Sequence, residues 1–286
     1  MLVGYQNGVA KDGSDGKAST IVQYSLTGTV QRSFQVRGHN DGLRLVGTNS
    51  LWALQNEDAN PRLVVFDLST GTRTRYLFPP TPHGGGYDDI VVQNGRVFIT
   101  ASNPTLDAKG VNVFPALLQI ILPGSGGGTV LLGPVLQGNA KATDIPTGST
   151  VTLNLTDPDS LSADQRGNIV LDDQADAQLV FIRNPVTKTQ TASRINITDT
   201  AGKTTTLDDT AFVPVPQTFM LVADVTANKV YRIDQPSLGF EPGIAYSTSD
   251  TAGIVGQLNL DNGVITPIAT GFISTLGMIF VPLPVK

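Results

Sequence analysis

The chain has 286 residues, 24 acidic side chains against 19 basic ones for a formal charge of -5, no Cys and two His. Without Cys there is no disulfide framework, thiol nucleophile or Cys-ligated zinc or iron-sulfur site, and two imidazoles exclude a three-His zinc site, which leaves oxygen ligands as the expected metal chemistry. The acidic balance, with no clustered Lys and Arg, predicts no nucleic-acid partner, and no run of about 18 apolar residues is present to span a membrane as a helix.

Thirty Gly and 18 Pro, with abundant Thr, Val, Asn and Gln, are the mix of many short strands joined by tight turns. Strands are predicted at Leu2 to Tyr5, Thr20 to Tyr24 and Val30 to Val36. The first complete four-stranded unit follows Asp41: Leu43 to Val46, Leu51 to Leu54, Leu63 to Phe66 and Thr74 to Phe78. A second follows the Pro82 to Tyr87 loop, with Ile90 to Val92, an Asn94-Gly95 hairpin, Val97 to Thr100, Ala116 to Leu122 and Val130 to Leu136. Residues 138-156 read as an insertion on that second unit. A third unit contains Leu161 to Ala163, Ile169 to Leu171, Leu179 to Ile182 and Thr191 to Ile197. The fourth runs from Asp209 through Phe219 to Ala223, Val230 to Ile233, Ile254 to Leu260 and Val264 to Ala269, with a Pro/Gly/Ser-rich insertion at 235-253.

Each unit is one blade of a β-propeller. Gly277 to Pro282 is left as a lone inner strand, and the three N-terminal strands lack one. Joining them predicts an all-β, five-bladed β-propeller, a single domain over 1-286 closed by strands from both termini. The alternative is six blades, with 138-156 or 235-253 belonging to a further blade.

An acid precedes the first apolar residue of each inner strand by two places: Asp41 before Leu43, Asp88 before Ile90, Asp159 before Leu161 and Asp209 before Ala211. Leu276 before Met278 is a degenerate fifth copy. This offset predicts a ring of carboxylates at one channel mouth, where each Asp either caps its turn or joins the others around Ca²⁺ or Mg²⁺. Second strands end in acids too, at Glu57, Asp173 and Asp224, which are expected to be turn-forming or to line the same face with Asn40, Asp89 and Asn103. His39 and His83 precede the acids of adjacent blades, and each is either a loop hydrogen-bonder or a general base. Gly84-Gly85-Gly86 before Tyr87 suits a ligand-facing loop, with Tyr87 either a phenol in the funnel or core. The doublets Asp88-Asp89 and Asp172-Asp173 are carboxylate pairs whose separation the sequence does not give.

The segment from Leu221 to Tyr231, through Ala223-Asp224-Val225-Thr226-Ala227-Asn228, resembles the repeats of NHL-type propellers and of the gluconolactonase (senescence-marker) family. Asp173 to Val180 looks like a second copy. Leu51 to Asp58 and His83 to Asp89 are similar to uncharacterised secreted bacterial propeller proteins. The gluconolactonase resemblance implies Ca²⁺ at the channel mouth and hydrolysis of lactones or phosphotriesters. The expected function is therefore divalent-metal-dependent hydrolysis of a lactone or related ester bond, with His39 or His83 as base, on a small-molecule ligand at the channel mouth. The alternative is a non-catalytic extracellular propeller that binds a sugar or a protein. A monomer, bacterial and secreted or periplasmic, is expected.

Overall fold

A computed structural model describes residues 1-216, 218-234 and 240-283. The chain forms two compact units, Met1–Gly138 and Asn139–Lys286. All named elements are strands, and no helix among the described residues is long and apolar enough to cross a membrane.

In the first unit, β1 (Leu2–Tyr5), β2 (Ala18–Tyr24) and β3 (Val30–Arg37) make a three-stranded antiparallel blade. The second blade contains β4 (Asn40–Val46), β5 (Ser50–Gln55), β6 (Arg62–Asp67) and β7 (Arg73–Leu77). The third begins with β8 (Ile90–Gln93), β9 (Arg96–Thr100) and β10 (Pro115–Ile121). The chain then lays the two-residue β11 (Gly128–Thr129) parallel to β7, and returns as β12 (Leu131–Gln137) to pair with β10. Asn94 and Gly95 both take positive φ, 51° and 71°, as a two-residue hairpin between β8 and β9 requires. The β5 strand is buried along nearly its whole length, so it reads as a continuous apolar run. Leu51, Ala53, Val64 and Phe66 pack with Ile21 and Val36 of the first blade, and Trp52, Leu54 and Leu63 with Ile90 and Ile99 of the third.

In the second unit, β13 (Lys141–Asp144), β14 (Thr150–Thr152), β15 (Pro158–Ala163), β16 (Ile169–Asp173), β17 (Gln178–Arg183) and β18 (Thr191–Asn196) form one sheet in the order β14-β13-β18-β17-β16-β15. The remaining strands are β19 (Thr210–Phe212), β20 (Thr218–Asp224), β21 (Lys229–Ile233), β22 (Ala245–Ser249), β23 (Ile254–Leu258), β24 (Ile265–Thr270) and β25 (Thr275–Pro282). They divide into a β19-β22-β23-β24 blade and a β21-β20-β25 blade.

The chain is thus a six-bladed β-propeller chain, three blades in each unit, and not the five-bladed one expected from the repeat count. Two observations overturn the five-blade assignment. Strand β25 pairs with β20, and the N-terminal strands pair among themselves, so no blade mixes the two termini. The expected fourth unit is two blades interleaved, because β22, inside the 235-253 insertion, is the partner of β19, while β20 and β21 join β25. Residues 235-239 of that insertion lie outside the described residues. The reason is chemical: Ser247, Thr248 and Ser249 look like loop residues, yet all three are fully buried with their hydroxyls used internally. The 138-156 insertion also belongs elsewhere than expected. Its β13-β14 hairpin adds to β18, in the blade after the one expected.

Candidate functional site

At Asp41, Asp159 and Leu276 the repeated offset has a structural cause. On β4 the register runs from Asn40 opposite Gln55 directly to Leu43 opposite Ala53, so Asp41 and Gly42 face the single residue Leu54. The same shift sets Asp159 and Ser160 against Asp172 in β15-β16, and Leu276 and Gly277 against Ala223 in β25-β20. Each is a β-bulge, which bends the strand and turns one extra side chain out of the ladder. Asp41 and Asp159 are those side chains. Of the four expected ring acids, Asp41 and Asp88 belong to the first unit and Asp159 and Asp209 to the second.

In the first unit the bulge brings Asp41 beside His39 and Glu57. His39 is 5% exposed, with Nδ1 2.8 Å from the Val9 carbonyl and its backbone N-H donating to Asn56 Oδ1 at 3.0 Å. Its Nε2 has no hydrogen-bond partner and faces Asp41 Oδ2 at 3.8 Å and Glu57 Oε1 at 3.9 Å. Lys11, from the N-terminal loop, reaches Glu57 Oε1 at 2.5 Å. Burial works to raise the Glu57 pKa, but the Asp41 carboxyl, Lys11 and His39 outweigh it and hold Glu57 below its usual value. Burial likewise opposes charge on Lys11, and Glu57 overrides it, so the ammonium is held more firmly protonated. One ligand atom from each of His39, Asp41 and Glu57 lies within 4.8 Å of the others, the one such trio among the described residues. Gly86 closes against this edge: its N-H donates to the Glu57 carbonyl at 2.8 Å, and a Cβ there would stand 2.2 Å from Asn56 O.

Other expected site residues of this unit lie in structural roles. His83 is buried, its Nε2 lies 2.8 Å from Gly86 O, and burial lowers its pKa despite that bond. Tyr87 is fully buried against Phe78 and His83, and burial drives its pKa upward. Asn40 is 2% exposed and donates to Leu54 O. The Asp88 carbonyl accepts the Gly42 N-H, Asp89 pairs with Arg44, and Asn103, exposed with φ 47°, donates to Asp58.

The second unit gathers several carboxylates around Asp172. Asp172, fully buried on β16, has neither carboxylate oxygen hydrogen-bonded; the nearby Thr210 hydroxyl is shared with Ser247. Burial, then Asp159, Asp209 and Asp173, push its pKa well above the ordinary carboxylate value. Burial and Asp159, Asp209, Asp172 and Asp250 do the same to Asp208. Asp173 is raised to about 8 by burial, although Gln178 and the Asp157 N-H bond it. Asp209 accepts the Met278 N-H at 2.7 Å. Asp224 is buried too, but backbone N-H bonds from Ile273, Ala227 and Ser274 overcome burial and keep its pKa low, as for a turn-capping acid.

Lys11 and Asp208 are not expected from the sequence, and Asp172 is expected only as half of the Asp172-Asp173 carboxylate pair. Lys11 sits in an unpatterned loop and has no sequence signal. The doublets Asp172-Asp173 and Asp208-Asp209 were the available signal for the other two.

No family model matches the chain, and no curated protein matches it. Among solved structures, a putative 6-phosphogluconolactonase from Bacteroides uniformis is similar at 11% identity and TM-score 0.52, over 98% of this chain and 87% of that one. A putative gluconolactonase (12%, TM-score 0.46, 92% and 76%) and the virginiamycin B lyase of Staphylococcus aureus (11%, TM-score 0.44, 100% and 89%) also align. At these identities the likeness is one of fold.

Proposed function

We propose that the first unit carries a divalent-metal-dependent hydrolase site for lactone or related ester bonds, built on His39, Asp41 and Glu57. The observation that carries this reading is the His39 imidazole. A metal-ligating His commonly gives its second ring N-H to a backbone carbonyl, which fixes the tautomer and aims the other lone pair. His39 does this through Val9, and its unpartnered Nε2 faces two carboxylates. The donor set therefore fits a metal. One imidazole among the ligands favours Mn²⁺, Fe²⁺ or Zn²⁺ over the Ca²⁺ or Mg²⁺ expected of an all-oxygen ring.

A divalent ion held there would polarise the ester carbonyl and make a water nucleophilic near neutral pH. His39 and Glu57 hold their positions through Val9, Asn56 and Gly86, and Asp41 through the bulge. Lys11, whose side chain is 63% exposed, is free to leave Glu57 and give a proton to the departing alkoxide as the C-O bond breaks. A second reading rests on the 2.5 Å Lys11 to Glu57 pair: the cluster is a clasp that pins the N-terminal loop over a propeller with a binding role.

Lys11→Met separates the two. In the hydrolase reading it removes the competitor for Glu57, so the melting temperature rises with Mn²⁺ or Zn²⁺ at lower ion concentration than in the parent chain. The gain approaches about 2.7 kcal/mol at a hundred times Kd. Hydrolysis of γ- and δ-lactones and aryl esters should need the ion, stop with EDTA and be lost in His39→Gln. If no ion shifts the melting temperature and Lys11→Met simply destabilises the fold, the clasp reading stands instead.

A further inference from the structure

A second site lies between the first two blades, apart from the His39 cluster. Across β5, β6 and β7 the register places Gln55, Arg62 and Leu77 in one row, Ala53, Val64 and Arg75 in the next, and Leu51, Phe66 and Arg73 in a third. Directly opposed residues of an antiparallel ladder share a face, and here Leu51, Ala53, Val64 and Phe66 are packed on Ile21 and Val36. Toward the outer strand the second and third rows turn from apolar to guanidinium, and in the first row the guanidinium is that of Arg62 on the middle strand. Arg37, at the end of β3, completes four arginines around a cavity of about 130 Å³ with Val64 in its wall.

This is unusual for a chain of net charge -5. Among the described residues the Arg37, Arg62 and Arg75 guanidinium groups make no ion pair and no hydrogen bond, and that of Arg73 donates to the Gln35 carbonyl at 3.1 Å. Four like charges around one cavity repel unless an anion joins them, and guanidinium groups bind planar or tetrahedral oxyanions through paired N-H donors. Gln55 adds the second half of a recognition pattern. It is fully buried, lines the cavity, spends its Nε2 on the Ala53 carbonyl, and leaves Oε1 unpartnered. An orphaned buried acceptor calls for a donor on the ligand. Size limits that ligand, since a cavity of about 150 Å³ holds a benzene-sized molecule.

We infer that this cavity binds a small oxyanion that carries a hydroxyl group, with the anion on Arg62 and Arg75 and the hydroxyl donating to Gln55. The charge can belong to a carboxylate or to a phosphate ester. Calorimetric titration of the full chain at low salt with glycerate, glycerol 3-phosphate and inorganic phosphate tests this. Glycerate or glycerol 3-phosphate should bind saturably, and whichever binds identifies the anionic group. Arg75→Gln and Arg62→Gln, both at exposed positions, should each weaken it by about tenfold or more, the usual cost of losing a hydrogen bond to a charged group. Arg166→Gln, in the second unit, should leave it unchanged. The inference is overturned if neither hydroxylated anion binds, or if Arg75→Gln binds as the parent does. Inorganic phosphate binding as tightly as glycerol 3-phosphate overturns the assignment to Gln55.

Discussion

Asp172 and His39 are both buried polar side chains with atoms left unbonded, and their surroundings make them opposites. His39 Nε2 faces two carboxylates and so suits a bound cation; Asp172 faces other acids and is driven toward its neutral, protonated form. A carboxyl whose pKa is raised on folding contributes stability below its unfolded value near 3.8, and that contribution is lost as pH rises through the folded value. Asp172→Asn removes the ionisation and keeps the shape. It should leave stability at pH 4 nearly unchanged and raise it at pH 8 by about 1–3 kcal/mol, the scale of relieving an uncompensated buried charge. Denaturant unfolding at the two pH values measures this, and a loss at pH 8 would mean that the carboxylate has a bound partner.

Bulges are the element that the sequence displayed most clearly and that was least understood from it. The regular offset of Asp41, Asp159 and Leu276 exists because each is the first of two bulge residues, which places it two positions ahead of the ladder pair that follows the bulge. Periodicity reveals such an offset, whereas partner strands are set by long-range pairing that no local pattern encodes. That is why β22, a strand whose Ser247, Thr248 and Ser249 hydroxyls are bonded inside, reads as a loop and hides a blade. The site was legible in the same proportion: His39, Asp41 and Glu57 stood out individually, but their convergence depends on the bulge and on a loop 28 residues upstream of His39 that supplies Lys11. Gly42 offers a test of the bulge's surroundings. Its N-H bonds the Asp88 carbonyl at 2.8 Å, and a Cβ would lie 2.4 Å from that oxygen. Gly42→Ala should cost about 1–3 kcal/mol through forced backbone displacement, whereas Gly277→Ala, at the equivalent bulge with nothing within 4 Å, should be nearly neutral. Urea unfolding followed by circular dichroism compares them, and equal effects would rule out the steric account.

At the scale of the whole molecule the charge is unevenly divided. The first unit has 10 basic and 9 acidic residues, a formal charge of +1, and the second has 9 and 15, a charge of -6. Apart from Asp224, which backbone N-H groups cap, the buried carboxyl and imidazole groups with shifted pKa values divide the same way, which gives the units opposite responses to pH. In the first, Glu57 and His83 have lowered pKa values, so their contribution is present above the unfolded values near 4.5 and 6.5 and is lost as pH falls. In the second, Asp172, Asp173 and Asp208 have raised values, so their contribution is present below pH 4 and declines as pH rises, for Asp173 through about 8. The first unit should therefore weaken from pH 7 to pH 4, and the second from pH 5 to pH 8.5. Trp52, the single Trp, is buried in the first unit and reports on it alone, while circular dichroism sees the strands of both. In urea at pH 4.5 the fluorescence midpoint should fall below the midpoint of the remaining dichroism change, and at pH 8.5 the order should reverse. Coincident midpoints at both pH values would show the two units unfolding as one and would refute an independent pH response for each.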